Sequence, residues 1–148
     1  MAFHKLIDLI ISGVGYIKIS NTLWIKKLQG AVVLVRVQKS SLGKGMYLNF
    51  GITFKTHEQY AGLFEYECEI FGRNPASFAK QKYIVYQSQL DQWRAVARDK
   101  RRIDMLTRSI HSQLRALEKM ADRTALKKMW AAGKLKFMLF NRSALGYD

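Results

Sequence analysis

The sequence predicts an α+β fold: an antiparallel meander of about five or six strands, with a short N-terminal helix and two C-terminal helices packed on one face. Three observations predict it. Between Gly30 and Lys55 apolar residues recur at every second position, in two arms joined by a Ser/Gly/Lys cluster. That is the pattern of a hairpin with a buried face. Short runs of turn-forming residues punctuate the first half at even spacing, which suits strands joined one to the next. From about Leu90 the period changes to three and four, the signature of amphipathic helices.

Phe3, Leu6, Ile7 and Ile10 fall on one helical face, and Ser12-Gly13 ends that helix. The apolar run Leu6–Ile11 is interrupted by Asp8, and is far shorter than the ~20 residues that cross a bilayer. Tyr16–Ile19 and Leu23–Leu28 read as strands separated by Ser20-Asn21. The central hairpin puts Val33, Val35 and Val37 opposite Leu34, Arg36 and Gln38, and Leu48, Phe50, Ile52 and Phe54 opposite Tyr47, Asn49, Gly51 and Thr53. Phe64, Tyr66, Cys68 and Ile70 alternate with Glu65, Glu67 and Glu69, which predicts a half-buried strand. Lys82–Gln87 reads as a last strand. Ile103, Leu106, Ile110, Leu114, Leu117 and Ala121 form the stripe of a long helix. A second helix starts with Asp122 as N-cap, turns Leu126, Met129 and Trp130 inward, and stops at Gly133. Leu135–Phe140 suits either a strand or a last helical turn.

The 148 residues make one domain by length, 1–148, and 49% hydrophobic content suits a chain with a packed core. A lone cysteine makes no internal disulfide, so a reducing compartment, the cytoplasm, is the expected location. With 25 Lys and Arg against 11 Asp and Glu the formal charge is +14, which attracts polyanions or an acidic partner.

The excess is concentrated late in the chain. Arg94 to Lys136 holds thirteen Lys or Arg and four acids, a net +9. On one helix Arg101, Arg108 and Arg115 recur every two turns, with Arg94, Arg98 and Lys119 beside them. Guanidiniums in such a row pair with phosphates or with a partner's carboxylates. The ordinary reading is a solvated face with local pairs such as Asp104–Arg108.

Other candidates are weaker. Glu65, Glu67 and Glu69 on one strand face would suit a divalent metal and a hydrolase, but Phe71 and Gly72 stand where a lysine would be wanted shortly after them. Lys39, Ser40 and Tyr47 near the hairpin loop form a possible second polar site; Ser40 bonding its own turn is the plainer account. His4, His57 and His111 lack metal-binding spacing, Gly43-Lys44-Gly45 lacks a phosphate-loop pattern, and Cys68 reads as a buried thiol. No residue pattern calls for a cofactor.

Gly15-Tyr16, Asn21-Thr22-Leu23-Trp24, Val37-Gln38-Lys39-Ser40, Tyr47–Ile52, and Cys68-Glu69-Ile70 with Arg73 occur in an order that resembles the bacterial family known as domain of unknown function 4304. The resemblance runs from Phe3 to Arg73. It implies a bacterial cytosolic α+β domain, and no catalytic residues. The expectation is a non-enzymatic binding protein whose basic helix face meets nucleic acid or an acidic protein surface, in an accessory or immunity-type role, with no membrane partner.

Overall fold

A computed structural model describes residues 2–41, 43, 45–73, 83–133 and 139–140. Its frame is a six-stranded antiparallel sheet in which every strand pairs with the next in sequence. The strands are β1 (Ile17–Ser20), β2 (Leu23–Leu28), β3 (Ala31–Lys39), β4 (Met46–Thr53), β5 (Ile70–Gly72) and β6 (Leu139–Phe140). Helix α1 (Phe3–Ser12) precedes them; α2 (Tyr83–Asp91), α3 (Trp93–Val96), α4 (Lys100–Met120) and α5 (Arg123–Ala131) lie between β5 and β6.

The β2–β3 hairpin closes through Gln29 and Gly30 alone, with Leu28 opposite Ala31. Gly30 has φ +80°, a conformation that favours residues without a Cβ and fits a two-residue hairpin turn. That turn fixes the β2–β3 register, with Trp24 opposite Val35; along the other edge of β3, Val33 and Val35 lie opposite Ile52 and Phe50 of β4, all on one face. Trp24, Val37, Leu48 and Ile70 join that face, where Ile7 and Ile11 of α1, Tyr86 and Leu90 of α2 and the α4 stripe close over it. Leu106, Ile110, Leu114, Leu117 and Ala121 are buried and Ile103 half-buried, as the helical spacing predicts.

Polar bonds lock these layers together. The Trp24 indole N–H donates to Asp8 Oδ1 at 2.7 Å and holds that carboxyl below its usual range. His111 Nε2 donates to the Ile10 carbonyl at 2.7 Å, tying α4 to α1. The Lys26 ammonium pairs with Glu118 of α4 and donates to the Val14 carbonyl at 2.9 Å. Between β4 and α4 remains a space of about 20 Å³, room for a single water.

The opposite sheet face carries Leu23, Ile25, Val32 and Leu34, covered by Leu63 and Cys68 from the β4–β5 connection. Here the expected strand over Phe64–Ile70 is absent. Glu65–Glu67 is a 3₁₀ turn and the strand begins only at Ile70. The alternation was real but served another purpose: Leu63 and Cys68 plug the sheet while Phe64 and Tyr66 stay outside. A Cβ on Gly51 would stand 2.7 Å from Cys68 Sγ, so the turn sits directly on the β4 backbone.

Lys82–Gln87 is not a strand: from Tyr83 it is helix, and Lys82 lies outside the described residues. Tyr86 and Leu90, four apart, are buried beneath it, and the Gln87 amide donates to the Met46 carbonyl (2.8 Å) and to Asp91 Oδ1 (3.1 Å). Tertiary burial at helical spacing overrides the local β-rich composition. Trp130 is 52% exposed rather than inward. In α5 Leu126 is buried and Met129 partly buried against the core. Asp122 caps α5 as expected, accepting from the Ala125 N–H at 2.8 Å. Leu139–Phe140 pairs with β5 as a strand, and 135–138 lie outside the described residues.

Candidate polyanion-binding face on helix α4

Asp99 starts α4 by accepting the N–H groups of Arg101 (3.0 Å) and Arg102 (3.4 Å), which sets the phase of everything after it. With the stripe from Leu106 to Leu117 turned to the sheet, 3.6 residues per turn place Arg101, Arg108, Arg115 and Lys119 diametrically opposite. All four are exposed. They stand in single file over about 27 Å of helix, in steps of about 10 Å between the arginines.

The nearby carboxylates leave this row its charge. Asp99 is committed to backbone N–H groups and Glu118 to Lys26. Among the described residues the ion pairs are Lys26–Glu118 and Arg36–Glu65, and neither involves the row. The local Asp104–Arg108 pair expected on a merely solvated face is not formed. Met105, 43% exposed, lies beside Arg101 and Arg108.

Arg94 and Arg98 do not share this helix. Arg94 belongs to α3, its guanidinium 5.2 Å from the Trp93 ring, and Arg98 lies in the break before Asp99. The single long helix expected from Leu90 is therefore three segments, and helical spacing does not relate those two arginines to the row. Sequence reasoning could have found the break: Asp99, followed by the apolar period, is an N-cap signal.

The Lys39, Ser40 and Tyr47 group is divided by the sheet. Lys39 follows Val35 and Val37 on the helix-covered side, whereas Tyr47, opposite Gln38, is on the other. Tyr47 instead carries the Arg73 guanidinium 4.0 Å above its ring, and Arg73 also donates to Gln38 Oε1 at 3.3 Å. The Ser40 N–H donates to the Gly45 carbonyl, closing the loop.

Glu65, Glu67 and Glu69 do not converge. Glu65 accepts from Arg36 Nε and Asn49 Nδ2, both at 3.1 Å; Glu69 is buried and accepts the Phe54 N–H; Glu67 is exposed. No group of three or more His, Cys, Asp or Glu among the described residues could hold a metal ion. The three carboxylates separate because only a strand would align them, and this stretch is a turn. Sequence reading missed the resulting network, Arg36–Glu65–Asn49–Gln38–Arg73, although Arg36 in an apolar strand was a signal that a carboxylate must meet it.

A meander sheet, helices on one face and a cationic row on the exposed side of α4 define an α+β domain of net charge +14. The chain belongs to the family described as a domain of unknown function, DUF4304, whose model matches residues 11–123. That match runs through α4, beyond the motifs of the first half. No curated protein and no solved structure matches the chain. No helix among the described residues is long and apolar enough to cross a membrane.

Proposed function

We propose that the protein is a non-enzymatic binding protein that engages the phosphate backbone of nucleic acid through Arg101, Arg108, Arg115 and Lys119. The observation that carries this reading is a row of four exposed cations opposite the core face of α4, with no ion pair among the described residues. Single-file cations meet phosphates but offer no way to read bases, so the binding is independent of sequence. A reducing cytoplasm suits the buried free thiol of Cys68.

Arg108→Glu combined with Arg115→Glu is expected to weaken binding to mixed-sequence duplex DNA or RNA tenfold or more, with the melting temperature unchanged. Absence of binding by the parent protein at low salt eliminates the nucleic-acid reading. The second reading, an acidic protein surface, is favoured by Met105, whose exposed thioether would add apolar contact between the arginines.

A further inference from the structure

The turn that covers the second sheet face repeats one chemical unit, Phe64-Glu65 followed by Tyr66-Glu67. The first unit holds an arginine from within the molecule. The Arg36 guanidinium lies 5.0 Å from the Phe64 ring centroid while its Nε donates to Glu65 at 3.1 Å. The second unit has the same two parts, an aromatic ring and the next residue's carboxylate, and no cation of the described residues on either. Tyr66 is 60% exposed, Glu67 is exposed, and neither enters an ion pair or cation–ring contact among the described residues.

The unit is also held still. The Phe64 and Tyr66 rings stack at 5.3 Å and 7°. Beneath them the Leu63 carbonyl accepts from Arg36 Nη2 at 2.7 Å, and Cys68 is buried against Gly51. A ring presented on such a base loses little freedom when a ligand stacks on it.

We propose that Tyr66 and Glu67 form a docking site for an arginine side chain of a protein partner, the guanidinium lying over the Tyr66 ring and donating to the Glu67 carboxylate. Charge supports that occupant. Glu67 is exposed and in no ion pair among the described residues, whereas Glu65 is met by Arg36 and Glu69 is buried against the Phe54 N–H. A planar cation gains both from the ring quadrupole and from the carboxylate, which a phosphate would not. The site is independent of the α4 row, because the turn packs on the sheet face opposite the helices.

The test titrates acetyl-Gly-Arg-Gly-amide into the full chain while the backbone amide signals are followed by NMR. Saturable shifts confined to the Phe64–Cys68 turn are expected, several-fold weaker with the lysine peptide, since ammonium lacks the planar fork. Tyr66→Ala and Glu67→Gln are each expected to lower the affinity about threefold or more, with Glu58→Gln leaving it unchanged. Shifts that do not saturate, or that survive both substitutions, overturn the proposal. So does concentration-dependent self-association abolished by Glu67→Gln, which would make the occupant a second copy of this chain.

Discussion

Gly51 and Cys68 show how single atoms decide this structure. A methyl group at position 51 meets Cys68 Sγ at 2.7 Å and the Glu65 backbone at 3.2 Å, so the covering turn or β4 must move. Gly51→Ala is expected to cost about 1–3 kcal/mol in urea unfolding, whereas Gly43→Ala, with nothing within 4 Å of the added carbon, stays within about 0.5 kcal/mol. Cys68 is 3% exposed; burial, with the neighbouring carboxylates of Glu69, Glu65 and Glu67, pushes its thiol up to about 12. Thiolate is therefore scarce at pH 8, and the native protein should react with iodoacetamide far more slowly than the protein in urea. Fast labelling of the native chain would contradict the packing of the turn. The burial of Cys68 was legible from its apolar neighbours. Its partner was not, because a close approach between Gly51 and residue 68 leaves no mark on local periodicity.

At the scale of elements, caps matter more than propensity. Helix α4 contains Arg101, Arg102 and Lys100 in its first turn, where the helix dipole disfavours positive charge, so the Asp99 carboxylate both caps and offsets them. Asp99→Ala is expected to destabilise the protein by about 1 kcal/mol, read as a drop in urea midpoint, with α4 still formed because its buried stripe persists. The stripe itself was readable from spacing alone. What spacing could not reveal was that Tyr83–Asp91 is helix, since residues 83–86 have strand-like composition and their state depends on what lies beneath Tyr86 and Leu90. The same limit explains the 3₁₀ turn. Phe64 to Ile70 alternates as a strand does, but Leu63 and Cys68 turn into the sheet face and pairing with β4 begins only at Ile70.

Across the whole molecule, the two sides of the sheet present different chemistry. The helical layer carries the cationic row on its outside, and the opposite face carries the Glu-rich turn. A polyanion held by four side chains releases counterions in proportion. The logarithm of the association constant for duplex DNA should therefore fall against the logarithm of salt concentration with a slope of about −3.6. Arg108→Ala with Arg115→Ala should halve that slope. A slope unchanged by those substitutions would place the contact elsewhere on the +14 chain. An acidic protein partner would show salt sensitivity too, but would be strengthened by apolar contact at Met105.

By itself the sequence determined strands β1 to β4 of the meander with their faces, and the long amphipathic helix, because period-two and period-3.6 patterns are local consequences of burial; the ordered motifs from Gly15 to Arg73 carried the resemblance to the family. It also placed Arg101, Arg108, Arg115 and Lys119 on a common side of one helix. Only the tertiary structure decided that these cations stay clear of the described carboxylates. Only there, too, did Lys39 and Tyr47 fall on opposite faces and the three glutamates take three separate environments. Those outcomes depend on contacts between residues far apart in the chain, and such contacts are set by how the layers close on each other rather than by any repeat along the sequence.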